Sequence, residues 1–280
     1  MSQSDSGLFR RLCRRAASAS HRLLKFWPLR QIRSSQLRRL DPLGHGRQRG
    51  EPVVRYYWRE FLERHRDDIR GRALEIGDTA TLRRFGGDRV ASAEAIDLAA
   101  RDGVTVVADL ARADALASDH YDCFVVPFTM HHIYDLDAAL HHAIRILKPG
   151  GVLLVNFPCV DYYFPDGLDM GTGRPLWVFW TFTPLHVHNL LRGAGLRSGD
   201  YQLTAYGNLF ARIAYQLNMP VEELTPRERD HRDPGHPLQV CVRAVKPKDW
   251  KAARPEYREA WLPATTPARW NADTGHYPRT

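Results

Sequence analysis

The sequence predicts an α/β fold built on a doubly wound, mostly parallel sheet. Three observations predict it. Short apolar runs alternate with helix-patterned stretches, the first three apolar runs end in carboxylates, and the best-marked helix passes through a Pro-Gly-Gly turn into a further apolar run. This alternation is the mark of βαβ units, whose crossover helices cover both faces of a parallel sheet.

In chain order, Val54, Tyr57, Trp58, Phe61, Leu62 and Ile69 put apolar side chains on one stripe and predict an amphipathic helix across the start of the core. Strands are expected at residues 73–77, 95–98, 104–110 and 121–126. A helix is expected over 135–148, where Leu136, Ala139, Leu140, Ala143, Ile144 and Leu147 recur at helical spacing. Lys148-Pro149-Gly150-Gly151 is expected to end it, because proline cannot continue a helix and glycine accepts the left-handed cap conformation. A strand at 151–157 comes next. The aromatic, Gly- and Pro-rich stretch 158–183 is too long for a tight connection and predicts a lid or binding loop. Beyond it come a helix near 184–192 and strands at 201–205 and 238–245, with a helical 208–217 between them. The strands then number seven, a Rossmann-like sheet with helices on both faces.

Charge divides the chain. The net charge is +8, yet residues 1–50 alone carry +10 and residues 51–280 carry −2. The organisation expected is a basic N-terminal extension over 1–48, a folded domain over 49–245 and a C-terminal arm over 246–280 containing Trp250, Trp261 and Trp270. Three readings fit the extension: a basic amphipathic helix on an anionic membrane surface, a disordered tail, or a targeting peptide. A near-neutral folded part argues against nucleic acid as a partner. Cys13, Cys123, Cys159 and Cys241 are scattered, with no metal-ligand spacing, and fit a reducing, cytoplasmic setting with contact to a membrane only at its surface. No apolar run approaches the ~20 residues of a membrane span.

In open α/β sheets, ligands bind beyond the carboxyl ends of the strands. Here the first strand ends Leu74-Glu75-Ile76-Gly77-Asp78, the second ends Ile96-Asp97, 22 residues after Glu75, and the third ends Ala108-Asp109-Leu110. Three strands thus end in three carboxylates. A dinucleotide pyrophosphate wants backbone N–H groups and no carboxylate nearby, and the G-x-G-x-x-G turn of nicotinamide enzymes is missing from Gly77-Asp78-Thr79-Ala80. S-adenosylmethionine has no phosphate but carries a sulfonium, an ammonium, a ribose diol and an adenine amine. On these grounds Glu75 would face the cationic end, Asp97 the diol and Asp109 the adenine.

Leu74-Glu75-Ile76-Gly77, Asp97, Ala108-Asp109 and the run Leu147-Lys148-Pro149-Gly150-Gly151-Val152-Leu153-Leu154 resemble class I S-adenosylmethionine-dependent methyltransferases over residues 71–157. His131-His132-Ile133-Tyr134-Asp135 is similar to the segment after the fourth strand in the methyltransferase type 11 group. A narrower resemblance, carried by Arg55-Tyr56-Tyr57, Arg83-Arg84-Phe85-Gly86, Trp180-Thr181-Phe182-Thr183-Pro184 and Tyr206-Gly207-Asn208, is to bacterial methyltransferases of surface-polysaccharide and glycosyltransferase loci. The resemblance implies cofactor contacts at Glu75, Gly77, Asp78, Asp97, Leu98, Asp109, Leu110 and Pro127. It also implies a small-molecule or glycan acceptor near Tyr56, Tyr57, Asp161 and Tyr162. The chain departs from the family in its altered glycine turn and in Thr181, where the narrower group has arginine.

Methyl transfer needs an aligned acceptor and a place for its proton. His131 or His132, just past the fourth strand, is the candidate base. No metal is expected, because His131-His132 falls on a loop and His141-His142 about two turns inside the next helix. A methyltransferase-like fold that binds a ligand or partner without turnover is the alternative.

Overall fold

The computed structural model describes residues 40–43, 49–163, 177–253 and 255–258. The chain divides into two units, Met1–Leu43 and Gly44–Thr280. The readings of the basic extension, of lid residues 164–176 and of Trp261 and Trp270 fall outside the described residues.

Among the described residues, the second unit is built on a sheet of seven strands: β1 Gly71–Ile76, β2 Val90–Asp97, β3 Val106–Val107, β4 Tyr121–Val126, β5 Leu147–Pro158, β6 Tyr201–Tyr206 and β7 Gln239–Val245. They lie in the order β3-β2-β1-β4-β5-β7-β6. The first five run parallel, and β7 is antiparallel to both β5 and β6. This is the Rossmann-like doubly wound arrangement. Strand order reverses between β1 and β4, so the ligand-binding edge is the carboxyl end of those two strands.

Period-two alternation sorts the central strands between two cores. Leu74, Phe124, Leu153 and Val155 face one side, with Ala138, Leu140 and Ile144 of helix α2 (Leu136–Arg145) and Val187 and Leu191 of α3 (Pro184–Gly193). Ala73, Cys123, Val125 and Leu154 face the other, with Tyr57, Trp58, Phe61 and Leu62 of α1 (Val53–Arg64) and Ala211 and Ala214 of α4 (Leu209–Gln216). Helices therefore cover both faces. A short α5 spans Pro226–Asp230.

Side chains at the helix starts supply the missing acceptors. Asp135 accepts from Ala138 N–H, Thr183 from His186 N–H with Pro184 at the first helical position, and Asn208 from Ala211 N–H. At the other end of α2, buried Lys246 donates to the carbonyls of Arg145 and Leu147, both at 2.8 Å, and to Asp119 at 2.7 Å. A cation on the last carbonyls is the favourable arrangement at a helix C-terminus. A buried polar chain ties α1 to the sheet: Phe128 N–H donates to Asn156 Oδ1, Asn156 Nδ2 to Gln239 Oε1, and Gln239 Nε2 to the Val54 carbonyl.

Several expectations need correction. Helix α2 ends at Arg145, not Lys148, and the Pro-Gly-Gly segment lies inside β5. The strand pairs with β4 at Tyr121↔Leu147 and again at Cys123↔Val152, so Lys148 to Gly151 form an irregular bulge. Gly150, at φ +83°, supplies the conformation the bulge needs and donates its N–H to the Lys246 carbonyl. Strand β2 starts at Val90, earlier than expected, and β3 shrinks to two residues because Asp109 caps a 3-10 turn, Leu110–Arg112. Among β1 to β5, only the β4–β5 crossover carries an α-helix. Between β1 and β2 the chain makes a π-helical turn, Leu82–Gly86, and a 3-10 turn, Gly87–Arg89. Gly86 permits this close return: a Cβ there would lie 2.4 Å from Val90 Cγ2 and 2.9 Å from Ile69 Cγ2.

The C-terminal arm packs on the domain as far as it is described. Trp250 donates to the Ala194 carbonyl at 3.0 Å, and the Tyr257 hydroxyl meets Asp114 and His142.

Candidate functional site

Glu75 stands at the end of β1, 2% exposed. Its Oε2 accepts from Thr81 N–H at 3.0 Å and Leu82 N–H at 3.1 Å. The carboxylate is thus turned into the first step of the crossover rather than outward to a ligand. Burial pushes its pKa up to about 7, against the opposing pull of those donors. Gly77, at φ +90°, carries the chain over the sheet edge, and Asp78 folds back to accept from Ala80 N–H at 2.8 Å. The turn expected to approach a ligand is therefore ordered by Glu75 and Asp78.

Asp97 and Leu98 come at the end of β2. Leu98 is 68% exposed, an apolar surface that suits the face of a base, while Leu110 is buried. Asp97 accepts from Arg101 at 2.9 Å and, more weakly, from Ala99 N–H at 3.3 Å. Arg101 also donates to the Gly77 carbonyl, so its guanidinium spans the ends of β1 and β2. A Cβ built on Gly77 would meet only this guanidinium, at 3.4 Å. Asp109 is exposed and accepts from Ala111 N–H at 2.9 Å. The donor set suits S-adenosylmethionine. Carboxylate oxygens at Asp97 and Asp109 can accept from a hydroxyl or an amine, exposed Leu98 offers apolar area, and a side chain added at Gly77 would meet only Arg101.

The end of β4 is strained. Pro127, half-buried, accepts from the Thr129 hydroxyl, and Phe128 sits at φ +44°, held by its N–H bond to Asn156 at 2.6 Å and by packing on Trp58. Backbone strain in a non-glycine residue persists only where the surroundings enforce it. The turn Met130–His132 comes next and delivers two imidazoles.

His131 is 4% exposed. Its Nε2 lies 3.0 Å from Asp161 Oδ2, and its Nδ1 has no partner among the described residues. Asp161 Oδ1 accepts from the Tyr215 hydroxyl and from Tyr162 N–H, both at 2.8 Å. Burial holds the His131 pKa well below the usual imidazole range and raises that of Asp161; the donors from Tyr215 and Tyr162 oppose the rise. A neutral imidazole that donates from Nε2 to a carboxylate keeps a lone pair on Nδ1. His132, by contrast, is bound through Nδ1 to the Trp177 carbonyl at 2.9 Å. The fold therefore brings two predicted residues, His131 and Asp161, into one hydrogen-bonded pair.

The tyrosines part company. Tyr162 donates its hydroxyl to the Tyr215 carbonyl and stays beside Asp161. Tyr57 is buried in the core, stacked on Tyr206 at 5.5 Å, with its hydroxyl on the Arg229 carbonyl at 2.7 Å. Tyr56 turns to Glu60 and Asp230. Sequence reasoning missed Arg101, Phe128, Asn156 and Tyr215. Only Arg101, four residues past Asp97, had a local signal. The described ends of the expected lid close on the same region: Phe179 N–H donates to the His131 carbonyl, Trp180 to the Ile133 carbonyl and Phe182 N–H to the Pro158 carbonyl. No cluster of three or more metal-ligating side chains occurs among the described residues. No helix among them is long and apolar enough to cross a membrane.

Residues 86–155 match a family model described as a methyltransferase domain, and a match to that domain implies S-adenosylmethionine as the cofactor. No curated protein sequence matches the chain significantly. Among solved structures, the chain is similar to an S-adenosylmethionine-dependent methyltransferase from Archaeoglobus fulgidus, at 14% identity over 71% of this chain and 96% of that one, with a TM-score of 0.44. It is also similar to one from Mesorhizobium loti, at 17% identity over 69% and 97% respectively, with a TM-score of 0.43.

Proposed function

We propose that this protein transfers a methyl group from S-adenosylmethionine to a hydroxyl of a small-molecule or glycan acceptor. The observation that carries the reading is the buried pairing of His131 Nε2 with Asp161 Oδ2 at 3.0 Å, with Nδ1 left unpartnered among the described residues. Asp97 would hold the ribose diol, Leu98 the adenine face and Asp109 the adenine amine, with Gly77 as the point of close backbone approach. When bound, the cofactor supplies a methyl group already activated on a sulfonium.

The protein's own work is positioning and proton removal. His131 Nδ1 takes the proton of the acceptor hydroxyl. Asp161 keeps the ring oriented with Nε2 protonated and stabilises the charge that forms on it, the role of the carboxylate in histidine-based catalysis generally. Tyr162, beside Asp161, lines the acceptor side. The neighbouring Phe179 and Trp180, tied to the backbone of residues 131–134, restrict water at the base.

A second reading, ligand binding without turnover, is favoured by one contact. Arg101 occupies the Asp97 carboxylate and the Gly77 carbonyl together. Calorimetric titration of S-adenosylmethionine and S-adenosylhomocysteine against wild type and Asp97→Ala tests the central claim. Both ligands should bind wild type and be lost in the variant, and no binding to wild type at millimolar ligand would sink it. Tight binding without methylation of any glycan or lipid-linked sugar, followed by mass spectrometry, would establish the second reading instead.

A further inference from the structure

The C-terminal end of α4 clasps the segment after β5. Tyr215 donates its hydroxyl to Asp161 Oδ1 at 2.8 Å, the Tyr215 carbonyl accepts from the Tyr162 hydroxyl, and Gln216 Nε2 reaches the Asp161 carbonyl at 3.4 Å. Tyr215 and Gln216 lie 54 and 55 positions from Asp161 in sequence. The clasp joins an element packed on one face of the sheet to the pair that carries the candidate base.

We propose that Tyr215 is a positioning residue that fixes which nitrogen of His131 bears the proton. The geometry leaves little choice. Asp161 Oδ1 already receives Tyr215 Oη–H and Tyr162 N–H, so Oδ2 is the oxygen left for His131. A carboxylate can only accept; the ring must therefore present Nε2–H to it, and a neutral ring then has its lone pair on Nδ1. The groups that face this pair are His132, whose ring centroid is 3.7 Å away, Tyr162 after β5, Tyr215 on α4 and Arg55 on α1, whose charge acts on Tyr215. Without the Tyr215 hydroxyl, a buried carboxylate loses one of its donors and holds a proton more readily. The His131–Asp161 pair then takes up its proton at higher pH. The idea that this lone pair serves methyl transfer rests on the proposed function. The tautomer itself does not.

Histidine-labelled full-length protein, free of cofactor, tests this by nitrogen-15 NMR. Wild-type His131 is expected as the neutral Nε2–H tautomer. In Tyr215→Phe its titration midpoint should rise by about one pH unit. Tyr162→Phe removes a hydroxyl from the same clasp without touching the carboxylate and should leave the midpoint in place. An Nδ1–H tautomer in wild type, an unmoved midpoint in folded Tyr215→Phe, or an equal shift in Tyr162→Phe overturns the proposal. If Tyr215→Phe does not fold, 3-fluorotyrosine incorporation decides in its stead: a stronger phenol donor should lower the midpoint, and no shift overturns the idea. Failure of the methyl-transfer reading would show separately, as absence of cofactor binding to wild type.

Discussion

Arg101 donates from Nε to Asp97 Oδ2 at 2.9 Å, and its Nη2, which donates to the Gly77 carbonyl, lies 2.8 Å from the same carboxylate oxygen. In the proposed seating, a ribose diol on Asp97 competes with this guanidinium for the carboxylate. The pair is partly exposed, and such pairs contribute about 0.2–1 kcal/mol. Arg101→Ala should therefore tighten S-adenosylhomocysteine binding by about 1.4- to 5-fold in calorimetry at low salt. Weaker binding by the variant would mean that Arg101 itself contacts the ligand.

Replacing the candidate base separates chemistry from binding. His131→Gln should lower kcat about 10²–10⁴-fold, the usual contribution of a general base, and leave cofactor affinity within about two-fold. An equal loss of cofactor binding would point to collapse of the site.

The same residue makes a stability prediction. Burial depresses its pKa from 6.5 in the folded protein, so its contribution is present above pH 6.5 and is lost as pH falls toward the folded value. Between pH 7 and pH 5.5 wild type should lose about 1 kcal/mol more than His131→Gln in urea unfolding. Parallel curves would refute it.

Glu75 works in the opposite direction. Its pKa rises from 4.5 to about 7, so the stability it contributes is fully present below pH 4.5 and is lost as pH rises through 7. Glu75→Gln can still accept from Thr81 and Leu82. Relative to wild type, it should gain roughly 2 kcal/mol between pH 5 and pH 8, read from denaturant midpoints.

Gly86→Ala tests the tight return between β1 and β2. Contacts of 2.4 and 2.9 Å to Val90 and Ile69 force the chain to shift, at a cost of about 1–3 kcal/mol in thermal or urea unfolding. A neutral substitution would show that this turn has slack.

The sheet was legible wherever burial writes itself into local pattern. Tyr121–Val126 reads as a strand because both its faces are covered, and α2 reads as a helix because one stripe is apolar. The Pro-Gly-Gly segment misled, since the residues that stop a helix also build a bulge, and only pairing with Tyr121 and Cys123 distinguishes the two. His131 and Asp161 could each be singled out by their place after a strand. Their pairing, and the parts played by Tyr215 and Asn156, depend on contacts across 30 to 83 residues that no local spacing encodes. Glu75 was visible as an acid at a strand end, but the direction of its carboxylate is set by the path of Thr81 and Leu82.

The position of β7 bears on the order of events during synthesis. The last strand in sequence among the described residues lies between β5 and β6, and the Asn156 amide nitrogen finds its partner in Gln239. Until residues 239–245 emerge from the ribosome, β5 presents an unpaired edge with Val152, Leu154 and Phe157 along it, the kind of edge that recruits foreign strands. The nascent chain must keep that edge from aggregating until β7 arrives.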